Sequence, residues 1–101
     1  MNCMWEILVP TVRNNGVPFH TRYHRVWDAK VRDISGGLTI LKPAKGQWVC
    51  PDSGNLFSER MIPVRISCTR KQIFKIANIT KMYYDQLKVM FYLIATEVNI
   101  I

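Results

Sequence analysis

The sequence predicts an α+β domain made of two βαβ halves, with one antiparallel sheet and both helices packed on the same face. Strand-like and helix-like periodicities follow one another as β-α-β, an irregular middle, then β-α-β. Turn and cap residues fall at the joins between them. A chain of 101 residues, 49% hydrophobic and 21% charged, matches a single core, and domain 1–101 is too apolar for disorder.

Each element has its own signature. Trp5–Val9 is a β-rich run ended by Pro10, with Thr11–Arg13 as a candidate extension before the Asn14-Asn15-Gly16 turn. Thr21 is the expected N-cap of a first helix. Tyr23, Val26, Trp27, Val31 and Ile34 recur at the spacing of one buried helical face, and Gly36-Gly37 stops the pattern. Leu38–Leu41 reads as a second short strand. In Met61–Cys68 the apolar Ile62, Val64, Ile66 and Cys68 alternate with Pro63, Arg65 and Ser67, the period of a half-buried strand, and Pro63 suggests an edge or a bulge. Thr69 caps a second helix whose stripe is Ile73, Ile76, Ala77, Thr80, Tyr84 and Leu87. Val89–Ala95 is continuous enough for a central strand, and Thr96–Ile101 is a candidate terminal one. This order is the ferredoxin-like one, with a hairpin inserted between its halves. The sheet face away from the helices needs cover, so the chain is expected to self-associate.

Lys42–Glu59 is the long segment that neither periodicity explains, which makes it the place to look for function. Within it, Trp48-Val49-Cys50 and Asn55-Leu56-Phe57 flank the turn residues Pro51–Gly54 as a hairpin would.

Composition narrows the chemistry. Three widely spaced cysteines, Cys3, Cys50 and Cys68, form no CxxC or Cys/His cluster, so reduced thiols in the cytoplasm are expected, with no metal site. No apolar run reaches membrane-spanning length, and the N-terminal residues lack a basic leader pattern. A net charge of +7, from 14 basic and 7 acidic residues, points to an anionic partner or to solubility alone. No nucleophile elbow, zinc-protease motif or phosphate loop is present.

The remaining candidates are scattered. His20 and His24, four apart at a helix start, suit a metal or a proton shuttle only with a third ligand, and solvated histidines are favoured. Glu59 and Glu97 flank strands that both neighbour the first one and are candidates for a shared site, above all across a subunit boundary. Trp48 and Tyr92 are surfaces suited to stacking a purine, although strand aromatics are more often core. Arg70, Lys71, Lys75 and Lys81 make a basic helix face, better read as solvated than as a nucleic-acid surface. Cys50 and Cys68 have no histidine placed beside them by the pattern, so inert thiols are favoured over nucleophiles.

Several of these stretches resemble the small phage-type S-adenosylmethionine lyases, including relatives that act on the adenylated form used as a defence signal. The resemblance runs through WEILVPTVR, the helix start HTRYHRVW, the step Gly46-Gln47-Trp48, Glu59 ahead of Val64-Arg65-Ile66-Ser67-Cys68, and the last strand with Tyr92. The chain is also similar to small uncharacterised bacterial proteins with a Gly-x-Trp step, an Asp-x-x-Gly hairpin (here the shortened Asp52-Ser53-Gly54) and a Gln-x-x-Val strand entry, Gln86–Val89.

The lyase resemblance implies a homotrimer, an anti-defence role and a nucleoside-bearing ligand at the subunit boundary, with no cofactor. The substrate's own carboxylate would attack its Cγ, expelling methylthioadenosine and leaving a homoserine lactone. Such a reaction needs positioning more than acid or base help. Glu59 would be the catalytic residue, facing the sulfonium or ribose, with Gln47, Trp48, Tyr92 and Glu97 binding substrate. Trp48 stands where the family has a tyrosine, which removes a phenol. A non-enzymatic oligomer that sequesters a nucleotide signal or an acidic protein is the other reading.

Overall fold

The computed structural model describes residues 1–101. Its elements are β1 (Cys3–Pro10), α1 (Thr21–Ser35), β2 (Thr39–Ile40), β3 (Ala44–Val49), β4 (Leu56–Cys68), α2 (Arg70–Tyr83) and β5 (Phe91–Ala95). The sheet runs β2-β4-β1-β5, all pairs antiparallel, with β3 also pairing β4. This is the ferredoxin-like α+β fold with both helices on one face.

The core follows from strand alternation. Trp5, Ile7 and Val9 of β1 lie opposite Ile66, Val64 and Ile62 of β4, and these side chains turn toward the helices. Trp27 and Val31 of α1, with Ile73, Ile76 and Ala77 of α2, close the core from above. One polar contact crosses it: Trp27 Nε1 donates to Thr80 Oγ1 at 2.9 Å, and Thr80 donates onward to the Ile76 carbonyl. Trp5 Nε1, in contrast, is buried without a partner.

Helix α2 forms where the stripe and the cap agree. Thr69 accepts from the Gln72 amide while the Gln72 side chain accepts from the Thr69 amide, a capping box that stabilises a helix by roughly 1 kcal/mol. Helix α1 differs from expectation at its start. Its N-cap is His20, without a side-chain cap bond, and Thr21 is already helical. Val26, expected on the buried face, is exposed, while Gly36 ends the helix in the left-handed conformation glycine favours.

Several strands also depart from their sequence reading. Leu38–Leu41 shortens to Thr39–Ile40. Thr11–Arg13 does not extend β1; Val12 instead bridges Pro18 across the Asn14–Gly16 turn. The second arm of the hairpin and Met61–Cys68 are one unbroken strand of 13 residues. Pro63 causes no bulge: it pairs Leu8 in register between the stretches of β4 paired with β3 and with β2, and its carbonyl still accepts from the Leu41 amide. β5 begins at Phe91 and is an edge strand, not a central one, and Thr96–Ile101 forms no strand. Leu87 lies past the end of α2 and is exposed. No helix is long and apolar enough to cross a membrane.

Candidate functional site

Alternation sends Met4, Glu6 and Leu8 of β1, Pro63 and Arg65 of β4, and Tyr92 of β5 to the face away from the helices. Glu6 is paired with Arg65 on one side and Tyr92 on the other, so the three meet at the middle of that face. Arg65 Nε donates to Glu6 Oε1 at 3.0 Å, and the Tyr92 hydroxyl donates to Glu6 Oε2. Glu6 is only 8% exposed, yet it is ionised. Burial works to raise its pKa, but the Tyr92 and Arg65 hydrogen bonds and the Arg65 charge outweigh burial, leaving it below the usual carboxylate value. Tyr92 is pushed up to about 12, first by burial and then by its bond to the Glu6 anion. Arg65 keeps its guanidinium half-exposed, and this is the one ion pair of the protein.

The sequence expectation included Tyr92 but missed Glu6 and the role of Arg65. The signal was present: a single acid inside the apolar run Trp5-Glu6-Ile7-Leu8-Val9, and a single base inside Val64-Arg65-Ile66. A raised tyrosine pKa favours the folded state below the unfolded value near 10, and that contribution is lost as pH rises from about 10 to about 12. Replacing Glu6 by Gln should therefore return Tyr92 toward 10. Carbon NMR of labelled tyrosine rings would show the Tyr92 titration moving down; an unmoved Tyr92 titration would mean that the Glu6 bond does not set its value.

The other expected residues lie elsewhere. Gln47 and Trp48 are on β3 and Glu59 on β4, where Gly46 pairs Glu59, Gln47 pairs Ser58 and Trp48 pairs Phe57. Trp48 and Glu59 share one face of this hairpin, and Gln47 points to the other. The hairpin extends past the Pro10 end of β1, and both of its faces are exposed. Trp48 is stacked on Phe57 with ring centroids 4.7 Å apart, and neither is core. Glu97 lies beyond the opposite, Met4 end of β1. From the register, Glu59 and Glu97 of one protomer are roughly 30 Å apart at about 3.3 Å per residue. One chain does not bring them together.

The remaining candidates resolve individually. His24 is not a solvated histidine: its Nδ1 lies 2.7 Å from the Tyr84 hydroxyl, and burial lowers its pKa. His20 stays exposed, and no group of three or more His, Cys, Asp or Glu is placed to hold a metal ion. Burial pushes the Cys68 thiol up to about 11, which opposes a nucleophilic role. Arg70, Lys71, Lys75 and Lys81 are all exposed on α2.

The structure thus defines a ferredoxin-like domain with a buried carboxylate, Glu6, held by the exposed Arg65 and Tyr92 on its open sheet face, and a protruding hairpin. No protein-family model and no curated protein matches the chain. Solved structures do. It is similar to the periplasmic divalent cation tolerance protein CutA of Archaeoglobus fulgidus, with TM-score 0.71 and 10% identity over 99% of this chain and 88% of the other. The divalent cation tolerance protein of Thermus thermophilus gives TM-score 0.68 and 14% identity, covering 98% and 88%. A phage S-adenosylmethionine lyase in complex with S-methyl-5′-thioadenosine gives TM-score 0.69 and 11% identity, covering 93% and 81%. At these identities the likeness establishes the shared fold.

Proposed function

We propose that this protein is a cytoplasmic lyase of S-adenosylmethionine or its adenylated form, acting against host defence in a phage setting as a homotrimer with its site between subunits. The reading rests on the Glu6–Arg65–Tyr92 cluster. It is a buried, ionised carboxylate held on a sheet face that no helix covers, beside an arginine that uses only Nε to hold it. Glu6 is satisfied within the chain, while the remaining guanidinium nitrogens of the half-exposed Arg65 are free to meet an anionic group. The fold shared with the phage lyase supports the same reading.

Two exposed apolar surfaces favour assembly. The hairpin shows Trp48, Val49, Leu56 and Phe57, and the β5 edge shows Tyr92, Leu93 and Ile94. Packing the hairpin of one copy on the edge of the next is a head-to-tail contact, which closes into a ring when the rotation allows. It would bring Trp48 and Glu59 of one copy toward Tyr92 and Glu97 of another, with Gln47 on the hairpin's other face.

In that site Trp48 stacks on adenine, Glu59 faces the ribose or sulfonium, and the free side of the Arg65 guanidinium meets the substrate's carboxylate or phosphate. The carboxylate oxygen forms a bond to Cγ while the C–S bond breaks, and its electron pair leaves with methylthioadenosine. Attack cancels both charges, so the protein's task is to fold the substrate and exclude water.

Incubation with each substrate, followed by chromatography for methylthioadenosine, tests the reading. Glu59→Gln should lower the rate at least a hundredfold with the assembly intact. Tight binding without product would sink the lyase and leave a module that sequesters the nucleotide.

A further inference from the structure

The strand register brings two of the chain's three thiols together at the end of the sheet away from the hairpin. Cys3, the first residue of β1, lies directly opposite Cys68, the last residue of β4. Facing residues of antiparallel strands send their side chains to the same side, and here that side is the core. Cys3 has the parity of Trp5, Ile7 and Val9, and Cys68 has that of Ile66 and Val64. Cys68 is fully buried, while Cys3 is half-buried and packed against the same cluster. Burial, and then the charge of a Cys3 thiolate, push the Cys68 thiol up, so the two sulfurs lie within electrostatic reach of one another. Cys50 is remote, past the other end of β4 at Leu56.

This placement suits a disulfide. Cα atoms facing across an antiparallel pair are roughly 4.5–5.5 Å apart, inside the roughly 4.4–6.8 Å that disulfides span. The Cβ atoms of such a pair need to close by about 1 Å. Cys3 can supply that movement because it stands at a strand end, where its thiol donates only to the Thr96 carbonyl, at 3.6 Å. A lone buried cysteine serves as a small apolar side chain. A facing pair with one member reachable from solvent can also be oxidised.

We propose that Cys3 and Cys68 form a redox-active pair that closes to a disulfide by exchange with a low-molecular-weight disulfide such as oxidised glutathione. The half-buried Cys3 thiolate attacks one sulfur of the oxidant, and one glutathione leaves as thiolate. Cys68, deprotonated in turn, attacks Cys3 Sγ and expels the second. The pair gives up two electrons and two protons, and both glutathiones leave as thiols. Burial makes Cys68 a poor nucleophile toward molecules in solution, but its attack on Cys3 is intramolecular and needs no encounter. The bond ties β1 to β4 beside the Thr69 cap of α2 and closes a long loop. It does not depend on the lyase reading.

The full chain carrying Cys50→Ser, which leaves only this pair, is incubated with oxidised glutathione at mildly alkaline pH. Intact mass and thiol labelling after denaturation follow the reaction. Both thiols should disappear together, with the loss of two hydrogens and no retained glutathione, and digestion should yield a peptide joining Cys3 to Cys68. Oxidation should raise Tm by about 8 °C or more, and dithiothreitol should reverse the rise. Cys3→Ser in the same background should leave the buried Cys68 unreacted in the folded chain. The pairing is overturned if both thiols stay free, if glutathione remains on Cys3, if the link joins two chains, or if oxidation lowers Tm.

Discussion

Trp27→Ala should be the most damaging single substitution, lowering stability by about 3–5 kcal/mol, the usual range for removing a buried large aromatic. Trp27 is 1% exposed at the centre of the helix layer, touches Tyr84, and is the only side chain donating to Thr80 Oγ1. Truncation leaves a large void beneath α1. Since a domain of this size holds about 5–15 kcal/mol in all, the loss should lower Tm by roughly 15–30 °C. Thermal unfolding followed by circular dichroism checks it, with Trp27→Phe retaining most of the ring and falling between. A drop below about 5 °C would show that the helix layer repacks and that Trp27 is not its keystone.

The double variant Trp48→Ser, Phe57→Ser should have the largest effect on assembly while leaving the fold intact. Both rings lie on the hairpin, beyond the sheet body, and are 48% and 41% exposed, so removing them deletes no core contact. If the hairpin seats on the β5 edge of a neighbour, these stacked rings are the natural anchor, because interface energy concentrates in a few aromatic residues. Light scattering should show the variant at single-chain mass at micromolar concentration, with an unchanged melting profile in dilute solution. A wild-type protein of single-chain mass would end the assembly proposal, and a variant that still assembles would move the contact elsewhere.

Legibility in the sequence tracked one-sided burial. Helix α2 was plain because Thr69 and the stripe Ile73, Ile76, Ala77 and Thr80 are all fixed by a single packed face. Met61–Cys68 was plain for the same reason, with every second residue turned to the core. The turn residues Pro51–Gly54 mark the hairpin tip, where Trp48 pairs Phe57 and Val49 pairs Leu56 as expected, but the rest of β3 and the first half of β4 are opaque because both faces of the hairpin are exposed, so no period is imposed on Gln47, Ser58, Glu59 and Arg60. Val89–Ala95 misled in the opposite direction. An apolar run reads the same whether it lies inside a sheet or at an exposed edge, and Leu93 and Ile94 are at the edge. In the candidate site Tyr92 is legible as a strand aromatic, but its partner Glu6 is not, because one acid within an apolar run carries no periodic signal of what lies opposite it. Strand adjacency alone suggests that Glu59 and Glu97 meet. Register, which sets distance along neighbouring strands, puts them at opposite ends of β1.

The continuity of β4 has a mechanical consequence. At about 3.3 Å per residue its 13 residues extend roughly 40 Å, close to the longest dimension of the molecule, 46 Å. It starts at the tip of the hairpin and ends at the residue before the α2 cap. The hairpin is therefore a cantilever clamped in the core, without a hinge, and what it touches is aimed by the packing of Val64 and Ile66. Amide hydrogen exchange should record this as a smooth gradient, slow at Cys68 and progressively faster toward Leu56. A sharp step near Pro63 would instead reveal a joint there, and a hairpin free to swing.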